Sequence, residues 1–183
     1  MARTPIRLLV LLAASFTAIA LAVPAQAAAP YCGITWGSAV QHGATTLPAP
    51  GASLAAVRTG RHDCYDRLVV DVRGVGALTT WRAEYVPAVT EDPSGRPVAL
   101  RGGAFLHISL GTSQGFQPAN PRELAAVSGF TTFRQVASAG SFEGVTSIGL
   151  GVRARLPFRV LTVSGIPGSA NGVRVTVDVA HRW

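Results

Sequence analysis

The chain has 183 residues, 48% hydrophobic and 14% charged, with 16 basic against 9 acidic side chains and a formal charge of +7. That length suits one domain with a sizeable core. Every basic residue is arginine and none of them form a cluster, which speaks against nucleic acid and leaves an anionic surface as the partner.

Residues 1–30 carry Arg3 and Arg7 ahead of an apolar run from Leu8 to Val23, then Pro24 and the triplet Ala25-Gln26-Ala27. This is the layout of a secretory signal peptide over residues 1–27, cleaved after Ala27. The run is short of the roughly 20 residues a spanning helix needs, so no membrane association is expected after cleavage. Cleavage leaves 156 residues with 14 basic and 9 acidic side chains, a net +5. The expected location is secreted or bound at the cell wall.

Residues 28–57 read as an irregular N-terminal segment. Two cysteines, Cys32 and Cys64, are the only ones in the chain, and in an exported protein the default is a disulfide. Closing a loop of about 33 residues stabilises a fold by about 3–4 kcal/mol in the chain-entropy model.

From Arg58 to Trp183 the pattern alternates with period two between Gly- and Pro-rich turns. Leu68, Val70 and Val72 share one strand face, with Arg67, Val69 and Asp71 on the other. Trp81, Ala83 and Tyr85 share a face of the next strand. "GAFLHISL" suits burial on both faces. "TSIGLGVRARLPFRVLTVSG" is one long strand or two in succession, with Pro157 at a bend or edge. In the last strand Val173, Val175, Val177 and Val179 point inward, and Trp183 keeps their register if the strand continues. Only "NPRELAAVS" looks helical, with Asn120 as cap and Pro121 as first helical residue. The fold class is therefore all-β, a β-sandwich with at most one short helix.

One pattern occurs twice: Arg, apolar, any, Val, Asp, Val, at Arg67–Val72 and again at Arg174–Val179. Within each copy Arg and Asp lie about 13 Å apart along one face and cannot pair with each other. Arg67, Asp71, Arg174 and Asp178 are expected to pair with neighbouring strands and fix their register.

No catalytic constellation is legible. His42, His62, His107 and His181 form no metal-ligand spacing. "GRHDCYD" gathers His62, Asp63, Cys64 and Asp66, but its cysteine is assigned to a disulfide and the rest alternate faces. Ser141 sits in no nucleophile elbow. No metal and no cofactor are expected. The best binding candidate is the strand face Gly149, Gly151, Arg153, Arg155, with Glu143 just upstream. Bare glycine backbone could admit a flat glycan while the arginines meet carboxylates or phosphates. Equally, the glycines could make room for a bulge or a neighbouring side chain.

The repeated strand resembles the Arg-apolar-Val-x-Asp strands of AMIN domains, exported β-sandwich modules attached to N-acetylmuramoyl-L-alanine amidases and secretins. More closely, "CGITWGS", "VRTGRHDCYDRLVVDVRG", "GRPVALRGGAFLHISL", "FRQVASAGSFEGVTSIGLGVRARLPFRV" and "VDVAHRW" resemble the AMIN-like domain of exported actinobacterial proteins. The resemblance implies two packed sheets with internal pseudo-symmetry, peptidoglycan or anionic wall polymer as partner, and no enzymatic activity. A module holding an envelope protein at a strand edge is the alternative from another class, and an uncatalogued hydrolase the third.

Overall fold

Alternating apolar residues dictate strands here because a β-strand packed on a core must bury one face, and among the described residues nine strands form two antiparallel sheets. The computed structural model describes residues 30–44, 51–74 and 80–183, so the signal-peptide expectation for residues 1–27 lies outside the described residues. The five-stranded sheet has the order β1-β4-β5-β7-β6 and the four-stranded sheet β2-β3-β9-β8. The strands are β1 (Gln41–Ala44), β2 (Ser53–Arg61), β3 (Tyr65–Arg73), β4 (Thr80–Val86) and β5 (Ala104–Gly111). They continue with β6 (Phe133–Phe142), β7 (Val145–Val152), β8 (Phe158–Ile166) and β9 (Ser169–Ala180).

The core lies between the sheets. Leu68, Val70 and Val72 of β3 and Val173, Val175, Val177 and Val179 of β9 face Leu106, Ile108 and Leu110 of β5 and Ile148 and Leu150 of β7. Trp81 and Tyr85 pack on its margin, and Ala83 is fully buried. The stretch around Pro157 is two strands, β7 and β8, one in each sheet, with residues 153–157 crossing between them.

Three expectations change. The segment 28–57 is not wholly irregular: it supplies β1, which pairs with β4, and the first residues of β2. Neither strand shows alternation: β1 has only four residues, and the start of β2 is the unbroken apolar run Leu54–Val57; both lie at sheet edges. "NPRELAAVS" is not helical. The Asn120 side chain caps only a turn, accepting the Arg122 N–H at 3.1 Å. The backbone beyond it bonds to the β6 edge instead, Ser138 N–H to Pro121 O at 2.7 Å and Leu124 N–H to Val136 O at 2.8 Å. Finally, β9 stops at Ala180, so Trp183 leaves the valine register and is 70% exposed. The only helical element among the described residues is a 3-10 turn at Tyr31–Gly33.

Candidate functional site

The two copies of the repeated strand are β3 and β9, and they lie side by side and antiparallel. Their register sets Arg67 opposite Asp178 and Asp71 opposite Arg174. Antiparallel pairing reverses the order of one copy, so a motif with Arg at one end and Asp at the other becomes complementary to itself. Arg67 grips Asp178 with Nε and Nη2, at 2.7 and 2.9 Å, and Arg159 of β8 adds Nε at 2.8 Å. Asp71 is taken bidentately by Arg58 of β2 at 2.8 Å, and Arg174 donates to Gly165 O at 3.0 Å. Three of the four predicted charges thus form ion pairs between strands, and Arg174 braces the β8 backbone.

Above this charge pair the disulfide-held segment builds an aromatic layer. Cys32 and Cys64 are bonded. Trp36 meets Tyr65 edge to face at 5.9 Å, and His62 stacks on Tyr65 at 4.5 Å. Arg67 and Arg159 lie over the Tyr65 ring at 5.2 and 5.4 Å. Cys64 is thus taken by the disulfide, and His62, exposed on one side, rests on the Tyr65 ring. Asp66 is buried and accepts the Thr132 and Phe133 N–H groups, with His181 Nε2 at 3.1 Å. Among the described residues no three metal-ligating side chains converge.

The predicted binding face divides. Gly149 and Gly151 are buried under the chain's own segment around residues 89–101. A Cβ on Gly151 would stand 1.9 Å from Arg101 O, and one on Gly149 would stand 2.7 Å from Leu100 Cδ1. Their bareness admits that segment, so no glycan can lie there: a neighbour has taken the close approach. Glu143 occupies the β6–β7 turn with φ +46, at the opposite end of β7 from Arg153. Along an eight-residue strand that separation is roughly 25 Å. The structure does not bring Glu143 together with the arginines.

Arg153 and Arg155 are exposed within the crossing between sheets, past the end of β7, and so do not continue the strand face of the glycines. Arg153 donates to His181 O, and Arg155 donates to Ser38 O at 3.3 Å while stacking on Tyr85 at 4.8 Å. Tyr85 Oη donates to Leu156 O at 2.7 Å and accepts the Leu156 N–H at 3.1 Å. Burial pushes its phenol up to about 12.

Next to these arginines lies an open cleft of about 720 Å³. It is lined by Tyr31, Trp36, Pro157, Arg182 and Trp183 with the backbone of the disulfide-held turn. Trp36 Nε1 donates to Tyr31 O at 2.9 Å, Trp183 Nε1 to Arg155 O at 3.3 Å, and Arg182 covers Tyr31 at 4.6 Å. Sequence periodicity could not reveal this cleft, because its aromatics come from the two ends of the domain and none lies in a regular strand. The one sequence signal was a tryptophan in each of those segments.

On the outer face of β5, His107 stands between Glu84 and Gly149 in the register, and its buried Nε2 has no hydrogen-bond partner among the described residues. Burial holds its pKa below the ordinary histidine range, against the opposing pull of Asp92 and Glu84 and with a smaller contribution from Arg82.

Comparison with known proteins supplies the family. The model of the AMIN-like domain matches residues 52–181, from the first residues of β2 to the end of β9. No curated protein and no solved structure gives a significant match. The match covers more than two thirds of the chain and includes both copies of the charged strand, so the chain belongs to the AMIN-like domain family.

Proposed function

We propose that this protein is an exported, non-catalytic binding module of the cell envelope that recognises peptidoglycan or an associated anionic wall polymer. AMIN-like domains are in general envelope-associated binding or interaction modules, and membership supports an extracytoplasmic location. No helix among the described residues is long and apolar enough to cross a membrane. The observation that carries the reading is the gathering of Arg153, Arg155 and Arg182 at one end of the sandwich. Among the described residues none of the three has a carboxylate partner, and each is exposed. Their charge is available to stem-peptide carboxylates or polymer phosphates.

Co-sedimentation of the mature protein with purified sacculi tests this. Pelleting should fall with salt and be lost in Arg153→Ala/Arg155→Ala while the fold is retained. Protein that stays in the supernatant at low salt, with intact and polymer-stripped sacculi alike, overturns wall recognition.

A second reading has its own observation. Among the described residues β8 is an edge strand, and the Gly37 bridge and the Gln41 side chain occupy its free edge as far as Val160. Beyond that, Leu161 and Val163 are exposed. An envelope protein could add a strand there. Salt-insensitive capture of one protein, abolished by Thr162→Pro, would favour this reading.

A further inference from the structure

The arginine end of the molecule has a neighbour of different chemistry. The cleft formed by Tyr31, Trp36, Pro157, Arg182 and Trp183 is apolar and aromatic, with one cation at its rim. Except for Pro157, these residues fall outside the stretch matched by the family model. Whatever the cleft does is a property of this chain's flanking segments, added to the shared sandwich.

Its parts are held in place before any ligand arrives. The indole N–H groups of Trp36 and Trp183 are tied to the carbonyls of Tyr31 and Arg155. Arg182 is laid over the Tyr31 ring, and Cys32, next to Tyr31, is bonded to Cys64 at the start of β3. Arg182 takes one face of Tyr31 and Arg159 one face of Trp36, at 5.4 Å, whereas Trp183 is held through its edge and keeps its faces available. Fixing the rings beforehand lowers the entropy lost on binding. Trp183 is the clearest case: a large aromatic that is 70% exposed yet hydrogen-bonded into position. An aromatic that only completed a core would be buried.

We propose that this cleft is a saccharide subsite that takes a pyranose ring bearing an anionic substituent. The inference rests on the wall-polymer reading and names the part of the polymer that is read here. The flat C–H face of a pyranose is weakly positive and suits the negative face of an indole or phenol ring. Its hydroxyls can stay in water at the open mouth of the cleft. The volume of about 720 Å³ is within the range of small-molecule sites and above what a single ion requires. The lining has no acidic side chain, and Arg182 has no carboxylate partner among the described residues. A carboxylate or phosphate on the sugar would supply that partner, and Arg153 and Arg155 would extend the same field along the crossing segment.

Tryptophan fluorescence of the mature protein reads the subsite directly, since two of the three tryptophans line it. The probes are a disaccharide of N-acetylglucosamine and N-acetylmuramic acid, which carries a carboxylate, and neutral di-N-acetylchitobiose. The acidic disaccharide should change the emission saturably, and the neutral one should bind at least about 5-fold more weakly. Trp183→Ala should weaken the acidic disaccharide about 10-fold or more, and Arg182→Gln should remove the preference for the acidic sugar. Trp183 is exposed, so its variant keeps the fold, which the circular dichroism spectrum checks. Sacculi that still pellet the protein, with neither sugar changing the emission or with Trp183→Ala binding like the parent, overturn the subsite and leave the wall-polymer reading standing. Equal binding of the two sugars overturns the anionic requirement. Loss of sacculus binding altogether overturns the reading beneath it.

Discussion

Replacing Asp178 by asparagine removes the charge at the centre of the β3–β9 register. Asp178 is fully buried, and its two oxygens accept three N–H donors from Arg67 and Arg159. Asparagine keeps the shape but turns one acceptor into a donor and leaves two guanidinium groups without a counter-charge. Breaking a fully buried ion pair costs about 3–5 kcal/mol. Here the arginine side chains remain 27% and 26% exposed, so water recovers part of their solvation. The expected loss is about 2–4 kcal/mol. Asp71→Asn is the internal control: its carboxylate has one ion-pair partner, Arg58, whose side chain is 47% exposed. About 1 kcal/mol is expected there. Urea unfolding at constant m separates the two, and melting should fall by about 4–16 °C for Asp178→Asn against about 2–4 °C for Asp71→Asn. Equal losses, or an Asp178→Asn variant within about 0.5 kcal/mol of the parent, would refute the assignment of Asp178 as the hub. Replacing Arg67, Arg159 and Asp178 together by Met, Met and Leu should recover most of the loss, because a packed apolar set needs no desolvated charge.

The glycines of β7 give an ordering test: Gly151→Ala meets a backbone carbonyl and should cost about 3 kcal/mol, while Gly149→Ala meets the flexible end of Leu100 and should cost about 1 kcal/mol or less. The reverse order in urea titrations would mean that the segment at 98–101 does not sit on β7. His107 should make stability pH-dependent: its folded pKa is lowered, so the unfolded chain binds the proton first. Its contribution is complete above about 6.5 and is lost as pH falls, with a slope of at most about 1.4 kcal/mol per pH unit. Glu84, held below its ordinary range by the Arg82 hydrogen bond, contributes only at lower pH. His107→Gln should flatten the stability profile between pH 6.5 and 5, and an unchanged slope would reject the assignment. Cys32→Ala/Cys64→Ala should lower stability by about 3–4 kcal/mol and melting by about 6–16 °C, with no change in far-ultraviolet strand signal at 25 °C. A loss below about 1 kcal/mol would show that the N-terminal segment is held by its aromatic contacts without the bond.

The strands β3, β4, β5, β8 and β9 were legible because each buries one face, and burial writes a period of two into the residues, while β7 was legible as an apolar run and is covered on both faces. Leu68, Val70 and Val72, and the valines of β9, announce their inner faces directly. The outer-face charges could be recognised as cross-strand partners because Arg and Asp on one strand face are too far apart to satisfy each other. The edge strand β1 and the start of β2 were not legible, since four residues are too few to show a period and the run Leu54–Val57 does not alternate. "NPRELAAVS" has the local signals of a helix, and the unpaired edge of β6 overrides them by taking its backbone groups.

The candidate site divides along the same line. Sequence alone determined that Gly149 and Gly151 stand on one strand face and that Arg153 and Arg155 follow them. Local geometry requires that much and nothing further. Only the tertiary structure decided that the glycine backbone is covered by residues near 101, that the repeated strands are antiparallel neighbours, and that Tyr31 and Trp36 share a cleft with Arg182 and Trp183. The period of a strand fixes which way its side chains point, whereas what they meet depends on chain segments far away in sequence, whose approach the core and the disulfide determine.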